Sequence, residues 1–411
     1  MSNYCGSPRS VDSNLIEIDY SARSLRLGDH QIPCDSVLYA KSAEAGRVRI
    51  AYVKKNVKIF EGFAEGVTAL EIDAFCTNKI SSDDQSDKLG KVAVIVNPKA
   101  GKGKGVAKWE NQIQPILQES GKFSFAGILI TSRAGEAEEF AASPATEAID
   151  GIITIGGDGL LSEVVNGLHA AGRLSSVALY PLPCGSGNGL VYSILAQKRE
   201  PLTLPYALKA LIRGNQQALD IFQFQTEVSP PRVAFLSVTF GLVADTDIES
   251  EWFRFLGGLR FTVCGLYGIL RMRTYEASVS YEEYSAKADE LRPSKTERTG
   301  SFTSISLFNV SHANADFIVA PERCANDRKL SLLCLTPQDG GRFGLIGAML
   351  AAEKGHQIER YKWWRPVEVT SFQISTKGGT MGAGFVVDGE QVPGSQLTGA
   401  LLSQTATTYS P

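Results

Sequence analysis

The sequence predicts an α/β domain built on a parallel sheet, followed by a mainly antiparallel β domain and preceded by a β-rich extension. Three observations carry this. Short apolar runs alternate with helical patterns between residues 91 and 205, and runs of β character with few helices fill the chain beyond 205. The polar, acidic segment SSDDQSDKLG at 81–90, free of periodicity, reads as a linker. A chain of 411 residues is long for one hydrophobic core, so several units are expected: 1–88, 89–205 and 206–411, with a C-terminal tail that could return to the middle unit.

In order along the chain, Val48–Val53 and Val57–Phe60 are rich in β-branched residues and read as strands of the extension. Val92–Val96 is the next strand. A glycine-rich turn follows it, and then Val106, Trp109, Ile113, Ile116 and Leu117 at helical spacing. Pro115 is expected to kink or break that helix near its end. Ala126–Ile130, Gly151–Ile155 and Val177–Leu182 read as further strands, and Glu136–Ala142 and Leu160–His169 as helices. Beyond them, strands are expected at Arg232–Val243, Ser301–Val310, Leu330–Thr336 and Val367–Thr376, with helices at Trp252–Arg273 and Arg342–Gly355. The charged stretch 281–300 reads as a solvated excursion between two strands.

Composition narrows the function. With 43% hydrophobic and 21% charged residues, and 41 basic against 44 acidic side chains, the chain resembles neither a nucleic-acid binder nor an acidic tail. Its seven cysteines form no CxxC pair and stand at no ligand spacing from the four histidines, which argues against zinc and fits a reducing compartment. The N-terminus lacks the apolar core of a signal peptide, and no apolar run is long enough to span a bilayer. A cytoplasmic protein with peripheral membrane contact is the expectation.

Three glycine-rich segments follow strands of the α/β half: NPKAGKGKG at 97–105, GGDG at 156–159 and PCGSGNG at 183–189. Glycine permits positive φ and lets phosphate oxygens reach backbone N–H groups, and the helix that follows offers its positive end. None is a Walker A loop or a complete dinucleotide fingerprint. Lys99, Lys102 and Lys104 in the first loop suit a polyphosphate, or are simply solvated. Asp158, between glycines, has two readings: a carboxylate that accepts a hydroxyl proton during phosphoryl transfer, or a cap on the helix that begins at Leu160.

VNPKAGKGKG, GGDGLLSEVVNGL, PLPCGSGNGL and, later, VVDGE together resemble the diacylglycerol kinase catalytic family. Within it, SVTFGLVADTDIESEWFRFLGGLRFT at 237–262 is similar to the sphingosine kinases. The resemblance implies a nucleotide-binding α/β domain of diacylglycerol kinase and NAD kinase type, a β-sandwich lipid domain, and ATP with magnesium in the cleft. Asn97, Pro98, Lys99, Thr131, Arg133, Gly135, Gly157, Glu163, Gly185, Ser186 and Gly187 would line the nucleotide. Arg254 and Arg260 would meet its phosphates, and Asp388, Gly389 and Glu390 would lie near the nucleotide, with Asp388 at the magnesium. Gly156, Gly157, Asp158, Gly159 and Asp247 would touch the lipid, Asp158 as general base and Asp247 on the head group. A carboxylate suits the ammonium of a sphingoid base, which diacylglycerol lacks. Ceramide or diacylglycerol kinases, NAD kinases, phosphofructokinases and a silent binding module stand as alternatives. Glu136, where relatives commonly carry histidine, and the GNG at 187–189 depart from the pattern.

Overall fold

The computed structural model describes residues 15–44, 47–54, 56–64, 67–77, 90–185, 187–250, 259–285, 295–376 and 384–411. Of the expected linker only Gly90 falls among them. The extension forms strands β1 (Leu15–Asp19), β2 (Ser24–Leu27), β3 (His30–Pro33), β4 (Val37–Ser42), β5 (Val48–Val53) and β6 (Val57–Ala64), then helix α1 (Ala69–Thr77). The sheet runs β3-β2-β1-β6-β5-β4. Helix α1 was not expected, yet its start is written in the chain. Thr68 Oγ1 accepts the Glu71 N–H at 3.2 Å while Glu71 Oε2 accepts the Thr68 N–H at 2.7 Å, a reciprocal cap, and Ile72 is fully buried below it.

The middle of the chain is strand β7 (Lys91–Val96), the turn α2 (Ala100–Gly103), α3 (Gly105–Lys108), α4 (Gln114–Ser120), β8 (Ser124–Ile130), α5 (Glu136–Ala142), β9 (Gly151–Gly156), α6 (Asp158–Ala170), β10 (Ala178–Pro183), α7 (Gly189–Gln197), α8 (Leu204–Arg213) and β11 (Asn215–Leu219). Pro115 does not end its helix. A π-helical turn over Trp109–Ile113 precedes it, and α4 then runs on to Ser120 with the proline in its first turn, where a missing N–H costs least.

The last part adds β12 (Phe222–Thr226), β13 (Ser229–Ala234), β14 (Ser237–Gly241), α9 (Leu242–Ser250), α10 (Leu259–Arg271), β15 (Tyr275–Glu283), β16 (Lys295–Phe302), β17 (Ser304–Phe308), β18 (His312–Asn314), β19 (Phe317–Ile318), β20 (Leu330–Leu335), α11 (Gly341–Ala352), α12 (Gln357–Arg360), β21 (Val367–Thr376), β22 (Phe385–Val387), β23 (Glu390–Val392), β24 (Gln396–Leu401) and β25 (Ala406–Ser410). The expected single strand Arg232–Val243 is divided between β13, β14 and α9, so the ADTD segment is helical. Residues 252–258 of the expected helix lie outside the described residues.

The middle sheet has the order β11-β25-β10-β9-β7-β8. From β8 to β25 its neighbours are parallel, and β9 and β10 are buried at every position, as strands covered on both faces are. The tail thus returns as a strand of this sheet. The chain steps outward from β7 to β8 and then back across to β9, so the strand order switches between β7 and β9, the place at whose carboxyl ends open parallel sheets bind ligands. The antiparallel half is one hydrogen-bonded sheet that forks at β21, which pairs with β24 and β20 on one edge and with β15 on the other. Leu38, Tyr39, Ala51 and Val53 of the extension belong to the same apolar core as the middle sheet. Arg213 on α8 clasps that contact, giving Nε–H to the Val37 carbonyl at 3.1 Å and Nη2–H to Asp73 at 2.9 Å.

Candidate active site

All three glycine-rich loops leave the carboxyl ends of parallel strands. The first turns tightly: Asn97 Oδ1 accepts the Lys99 N–H at 2.9 Å, and Gly101, Lys102 and Gly103 have φ of 61°, 62° and 80°. A run of left-handed residues turns successive N–H groups toward one side, a concavity suited to anions. Lys99 is exposed and Pro98 half-buried beside it. The GGDG and GSG loops touch backbone to backbone. A Cβ on Gly157 would come 2.7 Å from the Gly187 carbonyl oxygen, and one on Gly185 would come 2.7 Å from Gly157 Cα. Only glycine fits either position.

Asp158 opens α6, but its side chain does not cap that helix. Its Oδ2 accepts the Gly189 N–H at 2.6 Å and Oδ1 the Leu190 N–H at 3.4 Å, so it caps α7, whose first residue is Gly189. Burial pushes the carboxyl up to about 7, against these two amides, and the nearby charge of Asp388 adds to the rise. Asn188, buried, fixes the same loop by donating to the Gly185 carbonyl at 2.9 Å. Neither it nor Gly189 was singled out from the sequence, although the GNG triplet marked the place.

The DGE segment forms the hairpin turn between β22 and β23. Asp388 and Gly389 have φ of 50° and 84°, the pair of positive values that a tight two-residue turn requires. The buried Asp388 carboxylate accepts three backbone N–H groups, from Phe235 at 3.0 Å, Leu236 at 2.9 Å and Ser237 at 3.0 Å. Burial still pushes it up to about 6. With both oxygens engaged, Asp388 fastens the crossing between β13 and β14. The Glu390 carboxylate lies over Gly159, 3.7 Å from where its Cβ would stand, and so meets the Asp158 loop.

The remaining residues are placed less uniformly. Thr131, buried just past the end of β8, donates its N–H to the Val96 carbonyl at 2.9 Å. Gly135, at φ 80°, begins α5, and Glu163 on α6 accepts the Ala137 N–H at 3.1 Å. Glu136 closes the same loop on itself by accepting the Ser132 hydroxyl at 2.9 Å. Arg133 turns to Glu139 at 2.5 Å on the exposed side of α5 rather than toward the glycine loops. Asp247 is half-buried on α9 in the antiparallel half. Ser186, Arg254 and the side chain of Arg260 lie outside the described residues. Of α10, Val263, Tyr267 and Leu270 are exposed, and Cys264 and Ile269 are buried.

The sequence profile of the diacylglycerol kinase catalytic domain matches residues 91–224, which hold the three glycine-rich loops. Residues 91–224 thus resemble a diacylglycerol kinase catalytic domain, and the chain as a whole is similar to sphingosine and sphingoid long chain base kinases. It is 28% identical to sphingosine kinase 1 of Arabidopsis thaliana over 74% of its own length and 67% of that protein's. It is 27% identical to sphingoid long chain base kinase 4 of Schizosaccharomyces pombe, over 68% of its length and 60% of the relative's. The chain therefore spans about two thirds or less of these relatives. A crystal structure of a diacylglycerol kinase from Bacillus anthracis superposes with a TM-score of 0.57 at 18% identity, covering 80% of this chain and 99% of the other, which shows a shared fold.

Proposed function

We propose that this chain transfers the γ-phosphate of ATP to the primary hydroxyl of a sphingoid long-chain base, sphingosine or a hydroxylated relative, giving the 1-phosphate. The observation that carries this reading is Asp158: a carboxyl whose proton affinity is poised near neutrality, among glycine loops at the carboxyl edge of a parallel sheet. The hydroxyl oxygen attacks the γ-phosphorus, its proton passes to Asp158, and ADP departs with the bridging oxygen. Asn97, Pro98, Lys99 and the left-handed turn behind them would face the phosphates, with Thr131, Gly135, Glu163, Gly185, Ser186 and Gly187 around the nucleotide. Arg254 and Arg260 would add charge on the phosphates. Asp247 would take the ammonium of the base.

Among the described residues no three His, Cys, Asp or Glu side chains gather into a metal site. Magnesium needs no such cage, since it binds through one or two carboxylates, phosphate oxygens and water. Glu390 would meet it at the Asp158 loop, and the ion would neutralise charge on the transferred group.

An alkyl chain would have to part the apolar cluster beside α10 and α11, where Ile269, Leu333, Leu335 and Leu345 are buried with Leu242, Ile346 and Met349 against them. Burial of a chain is worth ~0.8 kcal/mol per CH₂. Among the described residues no helix is long and apolar enough to cross a membrane. Peripheral contact with a bilayer is supported by the exposed Val263, Tyr267 and Leu270 of α10 and Phe343 and Leu350 of α11, with Arg271 and Arg342 on the same helices. Magnesium-ATP offered with sphingosine, dihydrosphingosine, phytosphingosine, ceramide, diacylglycerol and NAD decides the substrate. Phosphorylation confined to the free-amine bases is the expected result. Equal or faster turnover of ceramide, diacylglycerol or NAD overturns it.

A further inference from the structure

Asp245 and Asp247 lie two residues apart on α9, and a helix turns such a pair to faces about 200° apart. Asp245 is turned inward. Its buried Oδ2 accepts from the Tyr275 hydroxyl and from Arg273 Nη1, the latter at 3.1 Å, while Oδ1 is buried with no hydrogen-bond partner. Arg273 reaches on to Glu249 at 3.5 Å, one turn further along the same face of α9. Leu242, Asp245, Thr246 and Glu249 of that face line a cavity together with Gly268 and Arg271 of α10 and Arg273 beyond it.

These partners converge on the corner from which α9 springs. Tyr275 is the first residue of β15, and Arg273 stands in the link that joins α10 to it. The Tyr275 ring meets Phe240 at the end of β14 edge-on, with centroids 5.5 Å apart. Gly241, at φ 80°, turns the chain from β14 into α9, and a Cβ there would come 3.1 Å from the Tyr275 ring. One aromatic residue therefore holds both the corner and a carboxylate a turn into the helix. A buried charge shared between a phenol and a guanidinium tolerates little rotation, because losing either partner strands it in a poorly solvating surround.

We propose that Asp245, with Tyr275 and Arg273, is a positioning latch that fixes the rotation of α9 and so aims Asp247 at the lipid head group. This rests on the head-group role proposed above for Asp247. Tyr275→Phe keeps the ring on Phe240 and removes only the hydroxyl. Steady-state kinetics of the full chain should show the KM for sphingosine raised roughly tenfold, with kcat and the KM for ATP within about twofold. Asp245→Asn should give the same signature. In an Asp247→Asn background, Tyr275→Phe should add nothing to the lipid KM. The latch is overturned if Tyr275→Phe leaves the lipid KM unchanged, if both KM values and kcat worsen together with a loss of thermal stability, or if the two substitutions add in full. An unchanged lipid KM in Asp247→Asn alone, beside a raised one in Tyr275→Phe, overturns the head-group role and with it the proposed route, while showing that the Tyr275 hydroxyl serves lipid binding by another path.

Discussion

A carboxyl held near pH 7 can both accept and release a proton at working pH, and Asp158 reaches that state by burial while two helix-end amides pull the other way. Asp158→Asn keeps an oxygen for the Gly189 N–H and loses the base. Turnover should fall by about 100- to 10,000-fold with the KM for ATP little changed, measured by steady-state phosphorylation of sphingosine. An unaltered kcat removes the catalytic assignment. The pH dependence follows from the same shift. A base must be ionised to act, so kcat/KM should rise with pH through about 7. Stability runs the opposite way. Where a carboxyl is raised in the fold, the unfolded chain releases its proton first, so the stabilisation present below the ordinary aspartate value of about 4 is lost as pH climbs through the folded value. The Asn variant should therefore gain stability relative to wild type as pH rises from about 4 to about 7 and hold that gain above it, read by denaturant melts at each pH. A difference that stays flat with pH contradicts the raised value.

Among the elements, the paired loops before α6 and α7 are the most demanding. Asp158 N–H donates to the Gly187 carbonyl at 3.1 Å, and Gly185 N–H to the Gly156 carbonyl at 2.8 Å, so each loop is the other's support. Gly185→Ala places a methyl carbon 2.7 Å from Gly157 Cα and 2.8 Å from its nitrogen, backbone atoms that cannot turn aside. A loss of about 1–3 kcal/mol in unfolding free energy and a clear rise in the KM for ATP are expected, from melts and kinetics together. An alanine variant with unchanged ATP kinetics separates these loops from the nucleotide. The motifs marked both loops as glycine-bound, but that they need glycine because of one another was hidden, since the two lie 28 residues apart in sequence, from 157 to 185.

At the scale of the molecule, sheets are joined by contacts that ignore their order in the chain. The extension shares a core with the middle sheet, and the tail completes that sheet beside β10, where Tyr409 donates its hydroxyl to the Pro181 carbonyl at 2.7 Å. Helices α10 and α11 meet edge to edge, with Arg342 Nε donating to the Leu270 carbonyl at 2.9 Å, and this sets their exposed apolar residues side by side. Phe343, 90% exposed, is the most prominent. Phe343→Glu should weaken co-sedimentation with phosphatidylcholine–phosphatidylserine vesicles several-fold while turnover of detergent-dispersed sphingosine holds. Unchanged sedimentation removes this face from membrane contact.

Apolar periodicity and glycine placement determined the parallel α/β half nearly strand for strand, because strands buried on both faces and loops with positive φ leave few residue choices. The ADTD segment shows the limit. Its aspartates are chemically alike, and read locally they suggest a turn; the sequence directed notice to Asp247 and none to Asp245. Which of the two is anchored inward depends on Tyr275 and Arg273, 30 and 28 residues further on, which the fold alone brings to the start of α9. In the same way the sequence marked GGDG as a candidate phosphate loop and left its aspartate between a base and a helix cap. That Asp158 caps a neighbouring helix rather than its own, and is buried enough to hold a proton near pH 7, was decided by the packing of loops distant in the chain, since desolvation is a property of the assembled surround and not of the residue.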